Sequence, residues 1–227
     1  MRRQKHDAVH GGHRDLRADI VAERRRFADT LAEVGPAAPS LAGAWTAEDV
    51  AAHVVSLDRL GGVPTFLGRT AVSRGHRLND ATGRLAEGSI RSTRRRGFAW
   101  VLDRLRAAPP RLLMRDGVAP VGLFEVFVHH EDVRRASGRW SPRATPEGLA
   151  CALPWLLRYQ RRILPAAVLE VHADDVRLAT GTGPTVVLSG PTPDVVLWLA
   201  GRRDVADVQL RGDDTVVEQL RACPLRV

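Results

Sequence analysis

Lysine is almost absent from this sequence of 227 residues: Lys5 is the only one. Arginine therefore carries nearly all of the positive charge, which gives a formal net charge of +8 and a sequence pI near 11.0. Such a charge is typical of proteins that bind nucleic acids. The arginines are interspersed with acidic residues, however, and we interpret the densest run, over residues 91–96, as solvated surface. Nucleic acid is therefore not an expected partner.

Cysteine is nearly as rare, since only Cys151 and Cys223 occur and they form no C-x-x-C pair. This spacing excludes a thiolate zinc site and a disulfide framework, and it fits a reduced compartment. No serine lies in a G-x-S-x-G motif, and neither cysteine has a histidine near it in sequence to act as a base. We therefore expect no nucleophilic side chain to carry the chemistry.

Long apolar runs are also missing, and no run approaches the length of a membrane span. The first 13 residues are polar, with His6, His10 and His13, and they contain no apolar segment of the kind found in secretory signals. We interpret residues 1–13 as a disordered tail. These absences predict a cytoplasmic protein without a membrane partner.

The periodicity of the apolar residues changes near Pro165, and this change predicts two domains, over residues 14–165 and 166–227. The first domain is expected to be helical, because apolar residues recur at helical spacing. Its five predicted helices cover Asp15–Val34, Ala47–Leu60 with Thr46 as N-cap, Asp80–Ala107, 123–136, and Pro146–Leu164 with Thr145 as cap. The second is expected to be a small β-β-β-α-β-α unit, with strands Val168–His172, Val176–Thr180, Thr185–Ser189 and Val205–Leu210, and helices Pro193–Ala200 and Thr215–Ala222.

The most informative stretch is residues 123–136, LFEVFVHHEDVRRA. As a helix, it places Glu125, His129 and Asp132 at i, i+4 and i+7 along one stripe. Apolar neighbours such as Val126 predict that the stripe is buried, and a buried charge needs a partner. Glu-x-x-x-His offers one oxygen and one nitrogen to a divalent cation such as zinc.

The third ligand is expected from His53 in the second predicted helix. Val50 and Leu57 lie at i−3 and i+4 from this histidine, so its side chain should face the core. A core histidine bonded to a backbone carbonyl is the alternative. The inward Glu125 and His129 pair on another helix favours a metal site of His53, Glu125 and His129.

The other polar residues of this stretch receive different interpretations. His130 lies about 100° round the helix from His129, which predicts a surface or outer position. Glu131 is expected to point away. Asp132 can either bind the metal or hold an imidazole as an outer-shell partner, and we favour the second role.

Arg202 follows a predicted helix that ends at Gly201. Two interpretations stay open for it. The guanidinium can cap the helix C-terminus, where a positive charge is favourable. Alternatively, it can reach the metal cleft and bind a substrate carboxylate.

Three stretches together resemble the mycothiol-dependent maleylpyruvate isomerase family. They are WTAEDVAAH over residues 45–53, EVFVHHEDVR over residues 125–134, and GP at 190–191 with LWLAGR over residues 197–202. The resemblance extends over about residues 15–225. It is greatest to an uncharacterised actinobacterial branch of metal-binding proteins.

This resemblance implies a DinB-like four-helix bundle followed by an α+β domain. It implies a divalent metal, zinc in the isomerase, held by His53, Glu125 and His129. It further implies mycothiol as a thiol cosubstrate and an important arginine in the second domain, for which Arg202 is the best match. At residues 41–44 the chain reads LAGA where close relatives have Cys-Glu-Gly, so the cleft is expected to differ.

Two functional hypotheses follow from these observations. The first is a metal-dependent, mycothiol-using transferase or isomerase that acts on a small electrophilic substrate, with Arg202 binding an anionic group. The second is a metal- or small-ligand-binding protein without turnover, which needs the same ligands but no thiol site.

Overall fold

A computed structural model describes residues 16–58, 87–138, 141–161 and 163–225. The predicted tail over residues 1–13 and the first part of the predicted third helix lie outside these residues. Among the described helices, none combines the length and the apolar character needed to cross a bilayer.

The N-terminal part is helical, and its helices enclose one apolar core. They are α1 (Leu16–Val34), α2 (Ala47–Leu57), α3 (Phe98–Arg106) and α4 (Ala119–Ala136), with further helical residues at 87–94. Helix α1 packs against α3 and α4, and α2 packs against the same two. Core side chains come from all four of these helices and include Phe27, Val54, Leu105 and Val126. This packing orients the faces that carry His53 and Glu125.

Helix α2 begins at a capping box, as the sequence predicted for Thr46. The Thr46 hydroxyl accepts a hydrogen bond from the Asp49 backbone N–H, and the Asp49 carboxylate accepts one from the Thr46 backbone N–H. Arg94 lies in the run interpreted as solvated surface, but its guanidinium pairs with Glu48 at 2.9 Å and Asp49 at 2.8 Å. The start of α2 is therefore fixed from two directions.

The predicted third helix, Asp80–Ala107, is wrong as one continuous element. Helical residues 87–94 are followed by a turn, and α3 begins at Phe98. Gly97 between them has a φ of 88°, in the left-handed region that glycine adopts without a steric cost. The chain therefore changes direction at Gly97, and Val101 and Leu105 of α3 reach the core.

Helix α4 is buried around almost its whole circumference. Of its 18 residues, 14 are buried, and these include every residue from Leu123 to Arg134. Val126 and Val133 contact the core of the N-terminal helices, whereas Phe124 and Phe127 contact a second core. Helix α4 is thus shared between two cores, and its charged residues are largely shielded from water.

The predicted fifth helix is divided into two elements. Residues Glu147–Ala152 form a 3₁₀-helix, and α5 spans only Leu153–Gln160. Pro154 lies in the first turn of α5, where its missing N–H needs no partner. Thr145 is not a cap, because Pro146 precedes the 3₁₀-helix and no side chain caps it.

The C-terminal part contains a four-stranded sheet, and its β-β-β-α-β-α order confirms the sequence-based prediction. The strands are β1 (Val168–Ala173), β2 (Val176–Gly181), β3 (Thr185–Gly190) and β4 (Gln209–Gly212), arranged as β2-β1-β3-β4. Strands β1 and β3 are parallel, with Val168 opposite Thr185, and the other pairs are antiparallel. Helices α6 (Thr192–Leu199) and α7 (Asp214–Ala222) complete this part.

The predicted strand Val205–Leu210 is misplaced. Residues Arg203–Val205 form a 3₁₀-helix, and β4 starts only at Gln209. The second core joins α5, α6 and the sheet to Phe124 and Phe127 of α4. The helical part and the sheet are therefore in direct contact, and a domain boundary at residue 165 stays a prediction.

The capping box predicts that Thr46→Ala destabilises the protein by about 0.5–2 kcal/mol, because both hydrogen bonds of the Thr46 hydroxyl are lost, from the Asp49 backbone N–H and to the Asp49 carboxylate. Thr46→Ser keeps the hydroxyl and is the matched control. Urea unfolding of both variants and the wild type measures the difference. Equal stability of Thr46→Ala and wild type would show that the box does not hold α2 in place.

Candidate metal centre

Three predicted ligands converge between α2 and α4. Glu125 Oε2 lies 3.5 Å from His129 Nε2 and 3.8 Å from His53 Nε2. One donor atom from each residue falls within a group in which all atoms lie within 4.8 Å of one another. The three side chains are only 10–12% exposed.

Both imidazole rings are oriented by their neighbours. The His53 and His129 rings lie edge to face, with centroids 5.0 Å apart and an interplanar angle of 83°. Trp45, in the loop before α2, packs on His53 at a centroid distance of 5.2 Å. These contacts limit ring rotation, so that both Nε2 atoms are held towards Glu125.

The spacing of the donors fits a small divalent ion. Two ligand atoms that share a tetrahedral zinc ion at about 2.0–2.2 Å lie about 3.3–3.6 Å apart. The distances of 3.5 and 3.8 Å from Glu125 Oε2 are close to this range. Two nitrogens and one oxygen also match a catalytic zinc site, in which a further position stays open.

Asp132 holds His129 from the side opposite the donor cluster. His129 Nδ1 donates to Asp132 Oδ2 at 3.0 Å, which leaves Nε2 directed at Glu125. Arg202 binds the same carboxylate with two hydrogen bonds, from Nε to Oδ1 at 2.9 Å and from Nη2 to Oδ2 at 2.8 Å. An imidazole held by a carboxylate is the usual outer arrangement of a metal-binding histidine.

Arg202 is positioned by the end of α6. Gly201 has a φ of 86°, and the Arg202 backbone N–H donates to Leu197 O at 2.9 Å, as in a Schellman ending. The guanidinium Nη1 donates to Ala200 O at 2.7 Å, so the side chain also caps the helix. The cap predicted for Arg202 is present, and its guanidinium also reaches the candidate centre, where it binds Asp132. Binding of a substrate carboxylate by Arg202 stays a prediction.

Charges at the centre shift the ionisation of its groups. Burial would lower the pKa of His129, but its bonds to Asp132 and Glu125 raise it to about 9. Burial would raise the pKa of Glu125, yet His129 and His53 hold it well below its usual range. Asp132 likewise has a lowered pKa, because His129 and Arg202 outweigh burial. Both carboxylates are therefore ionised at neutral pH.

The expected surface position of His130 is wrong, whereas Glu131 points away from the candidate metal centre as expected but is buried. His130 is 1% exposed, donates from Nδ1 to Glu23 Oε1 at 2.7 Å, and contacts the Thr30 hydroxyl through Nε2 at 2.9 Å. Glu131 is 2% exposed and binds Arg143 at 2.8 Å. Both are buried because α4 is enclosed on the side that faces α1 as well as on the side of the metal centre.

Glu23 and Arg143 complete a second buried polar network that sequence reasoning missed. Arg143 Nη1 donates to Glu23 Oε2 at 2.9 Å, and its Nε binds Glu131. Glu23 is fully buried, and hydrogen bonds with His130 and Arg143 overcome the effect of burial and lower its pKa to about 2. A signal existed, because Glu23 lies at i+3 from Ile20 and i−4 from Phe27 on the buried face of α1.

Comparison with known proteins identifies two similar solved structures and no family. No family model matches the sequence, and neither does any curated protein. A crystal structure of the mycothiol-dependent maleylpyruvate isomerase has a TM-score of 0.49 and 15% identity, covering 86% of this chain and 90% of that one. A histidine-to-alanine mutant of that enzyme has the same TM-score and coverage, with 14% identity. A likeness at this level carries no argument about activity, so membership of that family and a DinB-like fold stay predictions.

The second network predicts a pH-dependent stability. The folded pKa of Glu23 is about 2, below the ordinary value of 4.5, so its contribution is complete above about pH 4.5 and is lost as the pH falls towards 2. Glu23→Gln should therefore destabilise the protein by about 3–5 kcal/mol at pH 7, because a buried charge pair is broken. Its difference from wild type should narrow below about pH 4.5.

Denaturant unfolding between pH 3 and pH 7 measures this difference. Glu33→Gln is the control, since Glu33 is an exposed residue of the same helix. If the free energy of unfolding of Glu23→Gln differed from that of the wild type by the same amount down to pH 3, ionisation of Glu23 would not be the source of the stability.

Proposed function

We propose that this protein binds one divalent metal ion through His53, Glu125 and His129, with zinc as the ion that best suits the donors. We further propose that it uses this ion in a thiol-dependent transfer or isomerisation of a small electrophilic substrate. The observation that supports the proposal is the buried convergence of the three donor atoms within 4.8 Å. Two imidazole nitrogens and one ionised carboxylate are also the donor set of a catalytic zinc site.

The role of each ligand follows from its position. A zinc ion in such a site lowers the pKa of a bound thiol or water and thereby supplies a nucleophile near neutral pH. Glu125 contributes one negative charge between the two imidazoles and would offset part of the charge of the ion. His53 and His129 would contribute their Nε2 atoms from two different helices, with the ion displacing the proton that His129 carries at neutral pH in its absence. The packing of α2 on α4 therefore sets the width of the site.

Asp132 and Arg202 do not contact the proposed ion but hold one of its ligands in place. Asp132 accepts a hydrogen bond from the Nδ1–H group of His129. This bond favours the tautomer whose Nε2 can bind a metal. Arg202 neutralises Asp132 and holds both of its oxygens. We therefore propose a positioning role for Arg202. Its predicted contact with a substrate anion remains a second possible role.

The thiol is proposed to be mycothiol, on the strength of the sequence motifs alone. Binding without turnover is the alternative, since the same ligands serve a protein that only stores or senses a metal. A thiol-conjugation assay with mycothiol and a panel of small electrophiles separates the two. Turnover that needs both metal and thiol supports the enzyme, and metal binding without turnover supports the alternative.

We expect about one zinc ion per chain in the wild-type protein, and its loss in each of His53→Ala, Glu125→Ala and His129→Ala. Each variant removes one of three donors, which should weaken a three-ligand site severely. Elemental analysis of protein purified without a histidine tag measures the content. Full retention of metal by His53→Ala would remove α2 from the site.

Two other histidines provide controls for this experiment. His130→Ala should keep the metal, because both of its ring nitrogens contact Glu23 and Thr30 and do not face the centre. His172→Ala should also keep it, since this histidine lies on strand β1 with its side chain 35% exposed. Loss of metal in His130→Ala with retention in His129→Ala would contradict the assignment of ligands.

Arg202→Ala should weaken zinc binding by about 10–100-fold, as is typical when the outer partner of a metal-binding histidine is disturbed. Arg202→Lys should fall in between, because lysine keeps the charge but cannot form the paired contact. Competition with a chromophoric chelator gives the zinc affinity, and calorimetric titration gives the affinity for mycothiol. Unchanged zinc affinity with weakened mycothiol binding would contradict the positioning role and favour the anion-binding role.

A further inference from the structure

An apolar cavity of about 60 Å³ adjoins the candidate metal centre. It lies between α1, α2, the first half of α4 and the segment over residues 109–118. Its lining is mainly aliphatic and includes Ile20, Val54, Leu57, Leu113, Val121 and Val126. Glu125 lines the cavity as well, so a single carboxylate belongs both to the cavity and to the metal centre.

The two other charged residues of the wall neutralise each other. Arg24 donates from Nη1 and Nη2 to the two oxygens of Asp58 at 3.0 and 2.8 Å. Its remaining contacts are the carbonyl oxygens of Leu105, at 3.2 Å from Nε, and Arg104, at 3.0 Å from Nη2. Every nitrogen of this guanidinium is therefore engaged within the protein. Among the described residues that line the cavity, no positive charge is left to bind an anionic ligand.

On the basis of the proposed function, we propose that this cavity is a subsite for a short, uncharged aliphatic group of the substrate bound at the metal centre. The lining is almost wholly apolar, so it favours an apolar group that leaves water over a polar one. A cavity of about 150 Å³ holds a benzene ring, so 60 Å³ holds a group of about two or three carbon atoms. An ionised group is excluded, because its charge would be buried without a partner.

Straight-chain hydroxamic acids are the probes that test the subsite. The hydroxamate group binds zinc, and the chain extends from it, from acetohydroxamate to hexanohydroxamate. Calorimetric titration of the zinc-loaded protein should show affinity rising about fourfold for each added methylene, over two or three carbons, and then levelling off. Succinic monohydroxamate has the chain length of butanohydroxamate with a terminal carboxylate, and it should bind at least tenfold more weakly than butanohydroxamate.

Gly122→Ala fills part of the cavity without disturbing the fold. A Cβ at Gly122 would lie 3.5 Å from Leu113 O and 3.8 Å from Ile20 Cδ1, which are ordinary contacts. Alanine also favours a helix over glycine. The variant should keep its zinc. Its affinity for the hydroxamates should stop rising at a chain about one carbon shorter than in the wild type. Val121→Met is a second filling variant. Gly88→Ala is the matched control, because open space surrounds that helical glycine.

The outcomes separate the subsite from the proposed function. Affinity that is independent of chain length, or a succinic monohydroxamate that binds as tightly as butanohydroxamate, would overturn the subsite while leaving the metal centre intact. An unchanged chain-length profile in both filling variants would also overturn it. Failure of the wild type to retain zinc or to bind acetohydroxamate would remove the proposed function and the subsite with it.

Discussion

The structure depends on one constraint, which is that helix α4 buries five ionisable residues between two cores. Each of these residues needs a partner. Helix α4 presents Glu125, His129, His130, Glu131 and Asp132 to an interior without bulk water. An unpaired buried charge is costly, so the surrounding elements supply partners. Helix α1 contributes Glu23, the segment before α5 contributes Arg143, and the end of α6 contributes Arg202. The elements packed around α4 therefore supply a partner for its buried charges as well as apolar side chains for the two cores.

At the candidate metal centre this pairing is looser. Asp132 has two partners at 2.8–3.0 Å, whereas the partners of Glu125 among the described residues are the two imidazoles, at 3.5 and 3.8 Å. These distances are longer than an ordinary hydrogen bond but suit two ligands of one ion. The neighbouring network on the α1 side has no such gap, since Glu23 bonds with both His130 and Arg143. This contrast between two carboxylate–histidine clusters on one helix is the reason why we propose the first as a metal site and the second as a structural support.

The sequence predicts the convergence of the three candidate ligands, because residues close to each of them in sequence show which way its side chain faces. Glu125 and His129 are one helical turn apart, and the apolar neighbours of His53 show which way it faces. The β-β-β-α-β-α order can also be predicted, because turn residues and alternating apolar residues mark the strands. The burial of His130 and Glu131 cannot be predicted in this way, because it depends on α1 and on residue 143, which are distant in sequence. The partner of Arg202 is likewise set by tertiary packing, 70 residues from Asp132. Gly97 marks the break before α3 only through its backbone conformation.

The most direct test of this account is a crystal of the zinc-loaded protein measured on both sides of the zinc absorption edge. The account predicts one strong anomalous peak per chain, about 2.0–2.2 Å from His53 Nε2, His129 Nε2 and a Glu125 oxygen. A peak coordinated by the histidines of the N-terminal tail, or no peak between α2 and α4 at full zinc loading, would contradict it.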